Sequence, residues 1–189
     1  MDDAAARELV LGTADRLYYA RGIAAVSMDE LRSDAGVSLK KTYQLFPSKE
    51  AILAEVLRRR NRQWTSGIIA RAEHESTPAA KLLSIFDFLA DWFAQDDFRG
   101  CAFINSFGEL GATAPTVATA ARDHKSSFQA YVADLVLQAG APAYLAPQLV
   151  LLAEGAQTTA AILGTADVAA QARAAASTLI DASLSVASD

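Results

Sequence analysis

The chain has 189 residues, 52% of them hydrophobic, a net charge of −5 and a single cysteine. That is enough chain for a core in one or two small domains and too apolar for a disordered protein. Cys101 alone excludes an intrachain disulfide and a thiol cluster for a metal. Met1-Asp2-Asp3-Ala4 lacks the basic flank of a signal peptide, and no stretch approaches ~18 unbroken apolar residues. A soluble cytoplasmic protein without a membrane partner is therefore expected.

Charge is unevenly spread. Residues 1–64 hold 11 Lys/Arg against 9 Asp/Glu, net +2, while residues 65–189 hold 6 against 13, net −7. Within the first part, residues 38–62 carry Lys40, Lys41, Lys49, Arg58, Arg59, Arg60 and Arg62 against only Glu50 and Glu55. Such a local surplus is the footprint sought in a nucleic-acid-binding segment.

The spacing is helical throughout. Val10, Leu11, Ala14, Leu17 and Tyr18 form the apolar stripe of a helix from about residue 4 to Arg21, ended by Gly22. Ser27 and Glu30 have capping-box spacing and Val26 and Leu31 that of a hydrophobic staple, so a second helix starts after Ser27 and ends near Ala35. Gly36 supplies a tight turn, Val37 plugs the angle, Ser38 caps a third helix and Pro47 closes it. Ser48 caps a fourth, which continues to about Ala72.

Helix, glycine turn, helix can be plain scaffolding, so the surface of the third helix decides. With Leu45 and Phe46 inward, the ~100° step per residue leaves Lys40, Lys41 and Gln44 outward and Leu39 and Tyr43 at the edge. Lysine and glutamine can reach base edges, an apolar side chain can touch a thymine methyl, and a tyrosine hydroxyl or helix N-terminus can hold a phosphate.

The run Arg7 to Leu53, above all "MDELRSDAGVSLKKTYQLFPSKEAIL", resembles the DNA-binding domain of the TetR family, with its Ala-Gly-Val-Ser, then Tyr-x-x-Phe-x-Ser-Lys-Glu. The resemblance implies an all-α bacterial regulator of about nine helices: a three-helix helix-turn-helix domain over residues 1–47, then a helical ligand-binding and dimerisation domain over 48–189. It also implies a homodimer that binds a palindromic operator in double-stranded DNA and is released by a small apolar or amphipathic effector. Carried over by position, Ser27, Tyr43 and Lys49 would hold phosphates, and Leu39, Lys40, Lys41 and Gln44 would read bases beside the cap Ser38. Two positions depart from the pattern. Arg32 stands where alanine is usual and Thr42 where leucine or phenylalanine is usual, and Arg32 is expected to lay its stem across the hairpin.

Beyond residue 73, Thr77-Pro78 opens a helix that is apolar over most of its circumference (Leu82, Leu83, Ile85, Phe86, Phe88, Leu89, Trp92, Phe93). Residues 101–110 form a short apolar helix, and Pro115 precedes a longer one running to Gly140. "RGCAFINSFGEL" is also similar, more weakly, to a segment in the effector domains of some TetR-like regulators. Phe86, Phe93, Phe103, Phe107, Phe128 and Tyr131 are candidates to line an effector cavity, although aromatics dominate ordinary cores. Asn105, His124 and Gln157 are candidate polar anchors in it.

The last two helices, one after Pro147 and one over "DVAAQARAAASTLIDASL", are rich in alanine. Leu149, Leu152, Ala156, Thr159, Ala160 and Leu163, with Ala169, Ala172, Ala176 and Leu179, recur every three or four residues. These stripes are expected to pair with their copies in a four-helix seam. An enzyme is not expected: Cys101, His124 and Asp123 or Glu109 match no nucleophilic signature, and no phosphate loop, dinucleotide fingerprint, cofactor motif or metal-binding His pair occurs.

Overall fold

The computed structural model describes residues 1–186, and every regular element among them is helical. In chain order these are α1 (Asp3–Arg21), α2 (Met28–Asp34), α3 (Leu39–Leu45), α4 (Lys49–Ala72), α5 (Pro78–Phe93), α6 (Ala102–Leu110), α7 (Pro115–Gln138), α8 (Leu145–Leu163) and α9 (Asp167–Val186). The chain divides into two compact units. One comprises Met1–Arg62 and Ala102–Arg122; the other comprises Gln63–Cys101 and the chain from Asp123 onward. The first unit thus runs past residue 47, taking in the start of α4, all of α6 and the start of α7.

In the first unit α1 is capped by Asp2, whose carboxylate accepts from the Ala5 amide at 2.7 Å. Its stripe of Ala6, Val10, Leu11, Ala14, Leu17 and Tyr18 is buried, and α1 packs on both α2 and α3. Leu31 and Val26 are fully buried, as the staple requires, and Phe46 fills the space behind α3. Each of these larger side chains contributes about 1.5–3 kcal/mol by leaving water.

In the second unit α5 packs against α8 and α9, which also pack on each other. The core joins Leu82, Ile85, Phe86, Leu89 and Phe93 of α5 to Phe128, Val132 and Leu135 of α7 and to the alanines of α8 and α9. Thr77 caps α5, its hydroxyl accepting from the Ala80 amide at 3.2 Å. The eighth helix begins at Leu145, earlier than the expected start after Pro147. Proline is tolerated there because amides of a first helical turn have no intrahelical acceptor to lose.

Candidate nucleic-acid interface and effector unit

The turn between α2 and α3 follows the sequence expectation closely. Ser27 caps α2 by accepting from the Glu30 amide at 3.1 Å. The reciprocal half of the capping box is absent, because Glu30 turns to Arg21 at 2.5 Å. Gly36 takes a φ of 65°, Val37 is buried behind the turn, and Ser38 caps α3 through the Lys41 amide at 3.3 Å. From that platform α3 exposes Ser38, Leu39, Lys40, Tyr43 and Gln44 together. Leu39 and Tyr43 are 40% and 47% exposed, large for apolar and aromatic side chains on so well packed a hairpin. Thr42 lies fully buried on the opposite face and donates its hydroxyl to the Ser38 carbonyl at 3.0 Å. The Arg32 guanidinium does not end across the hairpin; it returns to Asp29 on its own helix at 2.6 Å.

The remaining bases are differently engaged. Lys41 pairs with Asp3 of α1. Lys49 donates to the Ile23 carbonyl at 2.5 Å, and its ammonium lies 5.8 Å from the centre of the Tyr18 ring. Burial lowers the Lys49 pKa from the usual lysine value, and the Glu109 carboxylate partly offsets this. Arg58 pairs with Glu55, Arg59 with Glu8 at 2.9 Å, and Arg60 with Asp15 while stacked 4.0 Å over Tyr19. Three of the four arginines counted as a basic footprint, Arg58, Arg59 and Arg60, therefore bind α4 to itself and to α1.

Glu109 is a residue that sequence reasoning considered only as a catalytic part. Its carboxylate accepts from the Ile23 amide at 2.8 Å and the Ala24 amide at 3.0 Å, holding the turn between α1 and α2. Gly22 has a φ of 85°, and a Cβ there would lie 3.1 Å from Glu109 Oε1, so both backbone and neighbour favour glycine. Thr116 adds a second tie, donating to Glu50 near the start of α4.

The candidate effector residues fall in different compact units. Phe103, Asn105 and Phe107 sit on α6 in the first, where Phe103 is buried, Asn105 is exposed and Phe107 is 49% exposed. Phe86, Phe93, His124, Phe128, Tyr131 and Gln157 belong to the second. There the hub is Trp64, unnoticed in the sequence. Its ring lies 4.8 Å from Phe128 and 4.9 Å from His124, both edge-on. Burial, with a smaller push from the Lys125 ammonium, lowers the His124 imidazole to about 4. A hollow of about 30 Å³ beside these rings is also lined by Thr65, Ser127 and Tyr131. Gln157 is 1% exposed, and neither end of its amide is hydrogen bonded. One turn earlier on α8, Glu154 Oε1 is likewise buried without a partner, while Oε2 holds Lys125 at 2.5 Å.

The small-residue stripes of α8 and α9 serve first to pack this chain. Leu149, Ala156, Ala160, Ala169, Ala172 and Ala176, expected at a seam between copies, lie within the unit's own core. Sequence periodicity identified an apolar face without telling which partner covers it. Leu152 and Leu179 are half-buried, and Thr159 and Leu163 are exposed. Leu151 and Ile162, 73% and 77% exposed, lie beside them on α8. An open groove of about 330 Å³ runs between Leu151, Gly155 and Thr159 of α8 and Val168 and Gln171 of α9.

A capped helix, a glycine turn and a short helix presenting polar and apolar side chains outward define a helix-turn-helix DNA-binding protein of the all-α class. The model of the family described as "Bacterial regulatory proteins, tetR family" matches residues 10–56. The HTH-type transcriptional regulator YjdC of Escherichia coli is 27% identical over 154 residues, covering 79% of this chain and 80% of that protein. The HTH-type transcriptional regulator EthR of Mycobacterium tuberculosis is 46% identical over 54 residues, 28% of this chain and 25% of its own. A TetR-family transcriptional regulator from Streptomyces coelicolor shares the fold with a TM-score of 0.90 at 24% identity, covering 96% of this chain and 97% of that one. Residues 10–56 thus match the DNA-binding domain of the TetR-family regulators, and the chain has the fold of such a regulator. Among the described residues no helix is long and apolar enough to cross a membrane.

Proposed function

We propose that the protein is a cytoplasmic, homodimeric repressor that binds a palindromic operator in double-stranded DNA and is released by a small apolar or amphipathic effector. The observation that carries this reading is the outward face of α3, where Leu39, Lys40, Tyr43 and Gln44 stand clear of a fully packed hairpin. Lys40 and Gln44 suit base edges, Leu39 a thymine methyl, and Tyr43 a phosphate oxygen. The amides at the starts of α2 and α3, capped by Ser27 and Ser38, add phosphate donors. Lys41 and Lys49 support the reading less directly, since each already has an intramolecular partner.

The dimer is supported by the exposed apolar strip of Leu151, Ile162 and Leu163 with Thr159, edged by Leu152 and Leu179. A second copy over that strip would bury it, and a two-fold axis would set the two α3 helices one DNA turn, about 34–36 Å, apart. Effector release is supported by the buried, unbonded amide of Gln157, because leaving such a group unpaired costs about 1–3 kcal/mol unless something else satisfies it.

The deciding experiment incubates the purified protein with fragments of its source genome and sequences those retained. A shared palindrome should emerge, bound as a dimer, with affinity falling steeply as salt rises. Gln44→Ala and Lys40→Ala should relax base preference. Equal retention of all fragments, or a monomer by sedimentation at micromolar concentration, would remove the proposal.

A further inference from the structure

Two rungs join the start of α1 to the reading helix. Asp3 pairs with Lys41, and one turn on along both helices Arg7 donates to the Leu45 carbonyl at 3.2 Å. Asp3 and Arg7 are four residues apart on α1, as Lys41 and Leu45 are on α3, so each pair lies on one helix face. The Arg7 rung is structural. It satisfies a carbonyl in the last turn of α3, and its guanidinium packs 4.4 Å over the Phe46 ring.

The Asp3 rung is of another kind. Its carboxylate is 76% exposed, and an ion pair so open to water adds little to stability. What it does is place a negative charge against Lys41, a base in the first turn of α3. Asp2, the neighbouring acid, is occupied as the α1 cap, so Asp3 is the acid free to turn toward α3. Lys40, the other lysine of α3, is exposed.

We propose that Asp3 is a specificity-determining residue: by holding Lys41 it suppresses sequence-independent attraction to phosphates, so that tight binding depends on the base contacts of Leu39, Lys40 and Gln44. This rests on the DNA-binding reading above. A lysine that must give up a carboxylate to take a phosphate exchanges one anion for another, and it contributes little to the release of DNA counterions. A lysine without that carboxylate contributes fully, adding about 0.9 to the slope of log affinity against log salt.

The test measures binding of the full-length protein to a random-sequence duplex across a potassium chloride series, for wild type, Asp3→Asn, Lys41→Ala and the double variant. Asp3→Asn should bind the random duplex several-fold more tightly at 0.1 M salt, with a slope steeper by about 0.9. Lys41→Ala alone should change little, and the double variant should return to wild type. An unchanged slope in Asp3→Asn, or a Lys41→Ala effect of equal size in both backgrounds, would overturn the proposal. Should none of the four bind duplex even in dilute buffer, the DNA-binding reading fails and this inference goes with it.

Discussion

Eight ion pairs recorded among the described residues lie in the first unit and three in the second. The first unit joins its helices by charge: Arg59 and Arg60 of α4 reach α1, Lys41 of α3 reaches α1, and Glu109 of α6 grips the turn after α1. The second unit is joined by rings and alanines, with Trp64, Phe128 and His124 edge to face and α5, α8 and α9 closing over one apolar core. Length accounts for α2 and α3, since seven-residue helices cannot bury a full stripe and must be held at their ends. The contrast also warns that a local excess of bases is not a map of a DNA-binding surface, because most of that excess is spent inside the unit.

If the second unit relies on packing, its largest single loss should come from a ring. Phe86 is 1% exposed at the centre of α5, and Phe86→Ala should cost about 3–5 kcal/mol in urea unfolding. Acid gives the next largest effect. His124 titrates at about 4 in the folded chain against an ordinary value of 6.5. Between those values the unfolded chain takes up a proton that the folded one does not, so stability falls as pH drops through that window. The full shift corresponds to about 3 kcal/mol. Unfolding at pH 7, 5.5 and 4.5 should show the decline, and His124→Phe should flatten it.

Much of the reading head was legible because its signals are local. A serine cap, a staple, a glycine and a proline fall within a few residues of the geometry they produce, and Lys40 and Gln44, expected outward from a 100° step, are exposed, as are Leu39 and Tyr43, expected at the edge. Lys41 and Lys49 were harder. Whether a lysine ends in solvent, on Asp3 or on the Ile23 carbonyl depends on an element distant in sequence. The same applies to α8 and α9, where the alanine stripes announced a close approach but not that each helix would serve as the other's partner. Trp64 was missed because α4 reads as one amphipathic helix, while its two ends belong to different units.

The first unit should be most sensitive where one group answers several. Glu109→Ala removes the acceptor for the Ile23 and Ala24 amides, and an unanswered buried amide costs about 1–3 kcal/mol. The loss should sit at the lower end, since Ala24 is exposed and water can take over there. Thermal unfolding measures it, and Glu109→Gln, which keeps an acceptor, should recover part. No change in either variant would mean that the turn is held by Lys49 and its own backbone.

The smallest effect separates the charged ties from one another. Arg59–Glu8 leaves its side chains 37% and 66% exposed, whereas Arg60–Asp15 leaves 20% and 24% and adds the stack on Tyr19. Water screens the first pair and less of the second. A double-mutant cycle to alanine should therefore give a coupling of about 0.2–0.5 kcal/mol for Arg59–Glu8 that fades in 1 M salt. Arg60–Asp15 should give a larger coupling, near 1 kcal/mol, and Arg60→Lys should not restore it, because an ammonium lacks the flat face that lies on Tyr19. Equal couplings would place the tie between α1 and α4 in their apolar stripe, and charge would then decorate the first unit rather than join it.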